Sequence, residues 1–115
     1  RWVQRAFGAW CNTAFGGSLS SLGILAGWTL LHIKMQEAGC RARLVIQRSE
    51  MDFTTPAQAD FAAECRMPAP DVWRRFEQAF DQRGRGRLTL AANLWAAGDR
   101  VGCHRGTYVA IALKL

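Results

Sequence analysis

At 115 residues, 50% hydrophobic and 21% charged, the chain has the make-up of one compact domain, which excludes a disordered or collagen-like protein. A mean hydropathy of −0.08 excludes a multi-span membrane protein. The net charge of +6 is concentrated toward the C-terminus, where Arg83, Arg85, Arg87, Arg100, Arg105 and Lys114 face only Asp81 and Asp99.

The sequence begins at Arg1 rather than Met, which fits removal of a targeting segment or a fragment start. From Ala6 to Ile33 it contains no Asp, Glu, Lys or Arg. Twenty residues of helix cover about 30 Å, the thickness of a bilayer's hydrocarbon core. Arg1 and Arg5 flank the run on one side, Lys34 and Arg41 on the other. Trp10 and Trp28 would stand about 27 Å apart on a helix, as two interfacial aromatics do. The pattern predicts one transmembrane helix over residues 17–33, reaching back toward Trp10. Gly16, Ser20, Gly23 and Gly27 recur at steps of four and three. They form one small-residue face suited to close helix–helix packing. A competing reading splits the run at Gly16-Gly17-Ser18 and buries both halves in a soluble core. His32, at the edge of the run, is a candidate for pigment or haem contact; no other cofactor is implied.

Residues 34–53 read as an extension of that helix. Their basic residues place the C-terminal part on the matrix or stromal side of an organellar membrane, by the positive-inside rule. Thr55-Pro56-Ala57-Gln58 has the chemistry of a helix start, and Pro68 and Pro70 would end that helix near Arg66. A second helix is expected from about Asp71, with Val72, Trp73, Phe76 and Phe80 on one face. Residues 81–88 read as a loop and 89–97 as a short third helix. Residues 107–113 are the best strand candidate. Cys11, Cys40, Cys65 and Cys103 lack metal-ligand spacing and read as buried small hydrophobes. Asp99, Cys103 and His104 hold no catalytic arrangement, since sequence neighbours such as Cys103 and His104 point apart.

The stretch Phe76-x-x-x-Phe80-Asp81-x-x-Gly84-x-Gly86-x-Leu88-Thr89 resembles an EF-hand, over roughly residues 71–97. The resemblance implies a helix–loop–helix with Gly86 at the sharp turn and Leu88 pairing across to a neighbour. It implies no calcium, because Arg83, Arg85 and Ala92 stand where oxygen ligands are needed.

Together these observations predict a mainly α protein. Residues 1–53 would form a transmembrane helix with its extension, and residues 54–115 a small helical, degenerate EF-hand-like tail. The function expected is that of a non-catalytic accessory subunit in an organellar energy-transducing complex: respiratory chain, ATP synthase or photosystem. Its partners would be other subunits and membrane lipid, in the mitochondrial inner or thylakoid membrane. Arg83, Arg85 and Arg87 are the candidate contacts for an anion or a partner. The alternative is a soluble basic helical module contacting RNA or acidic protein.

Overall fold

The computed structural model describes residues 2–4, 16–54, 61–96 and 98–113. Among them the chain runs β1 (Trp2–Gln4), α1 (Gly16–Glu37), β2 (Ala42–Phe53), β3 (Phe61–Cys65), α2 (Pro70–Arg83), β4 (Arg85–Ala96) and β5 (Asp99–Ala112). The strands form one antiparallel sheet in the order β1-β3-β4-β5-β2. The expectation of a mainly α fold is therefore corrected to a sheet with two helices. The expected division near residue 53 falls between strands of that one sheet, since β2 pairs along its length with β5.

α1 contains the helix expected over residues 17–33, but it lies on the sheet. Leu22 and Ala26 pack with Ala63, Ala92, Leu94, Ala96 and Val101. Leu31 and Met35 pack with Phe76, Phe80, Leu88, Leu90, Tyr108 and Ala110. On the face of α1 turned to the sheet, burial accounts for the absence of charge. No helix among the described residues is long and apolar enough to cross a membrane. The inferred membrane orientation falls with the span it was to orient.

The small-residue face of α1 has a sheet, not another helix, as its counter-surface. A Cβ on Gly23 would stand 2.5 Å from the His104 Cβ, and one on Gly27 would collide with the Tyr108 hydroxyl. Tyr108 donates its hydroxyl hydrogen to the Ile24 carbonyl at 2.8 Å, so the notch at Gly27 lets a phenol reach the helix backbone. Gly106, between the two side chains on β5, leaves room for both: its added Cβ would meet Tyr108 at 2.8 Å and His104 at 3.0 Å.

After Glu37 the chain does not continue as helix. Gly39 takes φ 72°, a left-handed conformation that glycine adopts without steric cost, and β2 follows. Residues 55–60 of the helix expected there lie outside the described residues; Phe61–Cys65 is a strand. α2 forms as expected, with Phe76 and Phe80 buried and Trp73 half-buried, but Val72 is exposed. It extends through Asp81 to Arg83 and ends at Gly84, φ 70°, whose N–H donates to the Phe80 carbonyl at 2.8 Å. The expected loop and third helix are instead β4, where exposed and buried residues alternate from Arg85 to Leu90. The EF-hand resemblance is thereby overturned: a strand replaces the exit helix, and Gly86 sits where Phe76 leaves no space for a Cβ.

Gly27→Ala is expected to lower the unfolding free energy by about 1–3 kcal/mol, because an overpacked side chain must displace Tyr108 or the helix. Urea denaturation measures this. A variant as stable as the parent would show that the notch is not needed.

Candidate functional site

β2 contains an irregularity that sets which side chains meet α1. Ile46 pairs with Tyr108 and Arg48 with Thr107, so the register shifts at Gln47. A one-residue insertion exchanges the two faces of a strand. Before the shift Leu44 faces the core; after it Met51 does. Ser49 shares the parity of Met51 and so reaches the helix side. Without the extra residue it would point to the opposite face.

There Ser49 meets His104. Their Oγ and Nε2 atoms are 2.7 Å apart, across 55 positions of sequence. His104 is 1% exposed and lies against Gly23 of α1, whereas Ser49 is exposed. Burial lowers the His104 pKa below its ordinary 6.5, so the imidazole is neutral at pH 7. A neutral imidazole has one nitrogen free to accept a proton. The pair therefore places a solvent-reachable hydroxyl against a shielded base.

Of the small residues expected to form a packing face, Gly16 opens α1, Ser20 is half-buried, and Gly23 and Gly27 receive His104 and Tyr108. His32 stacks on Trp28 with ring centroids 4.7 Å apart. No cluster of three or more His, Cys, Asp or Glu side chains suited to a metal occurs among the described residues. Cys40, Cys65 and Cys103 are free and half-buried, and Cys11 lies outside the described residues. Burial pushes the Cys65 thiol up to about 11, which keeps it protonated and weakly nucleophilic. Cys103 and His104 do point to opposite faces of β5. The partner that sequence reading missed is Ser49, and its only local signal is the apolar run Leu44-Val45-Ile46 passing into Ser49-x-Met51, a change of alternation phase.

Arg83 ends α2, while Arg85 and Arg87 start β4 and point away from α1. Neither Arg85 nor Arg87 is near the Ser49–His104 pair in the register: Arg87 is opposite Val109 and Arg85 opposite Ile111.

A family model described as "Putative thioesterase (yiiD_Cterm)", YiiD_C, matches residues 10–112. The chain belongs to the YiiD_C family. No curated protein matches the sequence. Among solved structures, a Chlorobaculum tepidum protein of unknown function superposes with a TM-score of 0.85 at 23% identity, over 90% of this chain and 69% of its own. A Pseudomonas aeruginosa protein described as a probable thioesterase gives 0.80 at 22% identity, over 96% and 74%. A Shewanella oneidensis protein described as a "putative thioesterase" gives 0.74 at 21%, over 86% and 66%. These likenesses establish the fold, a hotdog in which a sheet wraps one long helix. Membership in YiiD_C overturns the expectation of a non-catalytic accessory subunit of an organellar membrane complex, together with the lipid and subunit partners and the location that went with it. It lends nothing to the alternative of an RNA- or acidic-protein-binding module. A thioesterase description points to an enzyme.

The buried imidazole has a consequence for stability. An unfolded chain binds a proton at His104 near pH 6.5, while the folded chain binds it only at lower pH. Stability is therefore complete above the unfolded value and falls as pH drops through 6.5 toward the folded value. His104→Gln is expected to flatten this part of the stability profile, measured as urea midpoints between pH 7.5 and 5. An unchanged slope would mean that His104 is not the group that resists protonation.

Proposed function

We propose that this YiiD_C protein hydrolyses thioesters, with Ser49 as nucleophile and His104 as its base. The observation that carries the reading is the 2.7 Å contact between the exposed hydroxyl and the buried imidazole. The thioesterase description of the family supplies the class of bond.

The chemistry follows from the protonation states. With Nε2 unprotonated, the Ser49 O–H donates to it. As Oγ attacks the thioester carbonyl carbon, the hydroxyl proton passes to Nε2. Collapse of the tetrahedral intermediate breaks the C–S bond, and the leaving thiolate takes the proton back from the imidazolium. Water then attacks the acyl-serine, again giving a proton to Nε2, and the carboxylic acid leaves as Ser49 regains its hydrogen. Burial favours the neutral imidazole that both attacks need, and it makes the imidazolium short-lived. Tyr108, whose pKa burial raises, stays a neutral donor to the Ile24 carbonyl and holds α1 against the strand that carries the base.

Ser49→Ala and His104→Gln are each expected to lower kcat/KM for acyl thioesters by roughly 100- to 10,000-fold, and the double variant to lose little more than either single. A thiol-release assay with acyl-coenzyme A and acyl-N-acetylcysteamine probes measures this, with circular dichroism confirming the fold. Rapid-quench mass spectrometry should find an acyl group on Ser49. Full activity in the Ser49→Ala variant would remove the serine from the mechanism, and no activity of the parent on any thioester would remove the reading.

A further inference from the structure

The sheet face turned away from α1 carries a second feature, unconnected with Ser49 and His104. A groove of about 1000 Å³ runs along it beside the end of α2. Val45, Val109 and Ile111 form its apolar part, and Arg83, Arg85 and Arg87 its charged part. The backbone fixes this arrangement. Val45, Val109 and Arg87 are consecutive partners across three strands, and Ile111 is opposite Arg85. Gly84 ends α2 in the left-handed conformation, and its carbonyl accepts the Ala112 N–H at 2.8 Å, which ties Arg83 to the same end of the sheet.

Among the described residues, no Asp or Glu lines the groove, and none of the three arginines pairs with a described carboxylate. The neighbouring patch on the same face behaves differently: there Arg48 is held by Glu50 at 2.6 Å. Three guanidinium groups clustered without a described counter-charge repel one another, and beside them Val45 is exposed and Ile111 half-buried, over a buried Val109. One ligand fits both features: an anionic head, gripped by guanidinium through parallel hydrogen bonds, on an aliphatic chain lying over the valine–isoleucine strip.

We infer that this groove binds an amphiphilic anion, an aliphatic chain with a carboxylate or phosphate head. Such a molecule enters by charge and apolar contact and needs no chemistry from the protein. The site is on the opposite face of the sheet from His104, so occupancy and hydrolysis are separable.

Calorimetric titration of the full chain tests this with dodecanoate, dodecyl phosphate, dodecanol and inorganic phosphate, each amphiphile below its micellar concentration. At least one of the two dodecyl anions should bind, and the tighter one names the head group. Dodecanol and inorganic phosphate should each bind at least tenfold more weakly, since each offers half of the recognition. The Arg83→Gln/Arg85→Gln/Arg87→Gln variant should lose at least tenfold in affinity with a melting temperature no lower than the parent's, and Arg85→Glu alone should weaken binding in the same direction. His104→Gln should bind as the parent does. The inference is overturned by failure of both dodecyl anions, by dodecanol or inorganic phosphate matching them, or by undiminished binding in the triple variant. Loss of binding in His104→Gln would overturn it too, by placing the ligand at the hydrolytic pair instead.

Discussion

The structure depends on how closely α1 lies against β5. Two glycines on the helix make that approach possible, and two large polar side chains on the strand fill the space they leave. Tyr108 and His104 are both fully buried, and each has a partner: the Ile24 carbonyl for one, Ser49 for the other. A buried polar group without such a partner costs about 1–3 kcal/mol. The close helix therefore does two things at once. It lets the phenol reach a backbone carbonyl, and it shields the imidazole from water enough to keep it neutral.

Much of the helix was legible, and its surroundings were not. Periodicity and the lack of charge located α1 and the small-residue face because both are properties of one helix. Neither says what lies opposite. Small residues permit close approach to any surface, and an uncharged helix is equally suited to a bilayer and to the space under a curved sheet. The decisive information is in the strands, whose local sequence resembles loop and helix. Arg85-Gly86-Arg87-Leu88-Thr89-Leu90 alternates outward and inward residues, the period-two signal of a half-buried strand. Two features obscured it: Gly86, small because Phe76 occupies its Cβ position, and a preceding helix whose Phe76–Phe80 spacing resembles the entry helix of a calcium loop.

The Ser49–His104 pair was illegible for another reason. Its two members are brought together by long-range strand pairing, and one is turned to the correct face only by the register shift at Gln47. Judged by local sequence, His104 had Cys103 beside it and nothing else. That sequence neighbours on a strand point apart excludes only a contact between Cys103 and His104, not a catalytic arrangement that His104 makes elsewhere. It does not address a partner three strands earlier in chain order. Bulges that re-aim a side chain next to a functional site recur in sheets, and here the break in phase between Leu44 and Met51 is the trace such a bulge leaves in sequence.

The two faces of the sheet consequently differ in electrostatic character, and alternation along the same strands produces both. On β5, His104, Gly106 and Tyr108 turn toward α1, while Arg105, Thr107 and Val109 turn away. On β4, Gly86, Leu88 and Leu90 turn inward, while Arg85, Arg87 and Thr89 turn outward. Cations placed on the inner face would disfavour protonation of His104 further but would also pay an unpaired burial penalty. On the outer face they remain hydrated and separated from the imidazole by the thickness of the sheet, where water and counter-ions screen them. The strongly basic composition is thus compatible with a neutral buried base, because strand alternation keeps the charge and the base on opposite sides of one sheet.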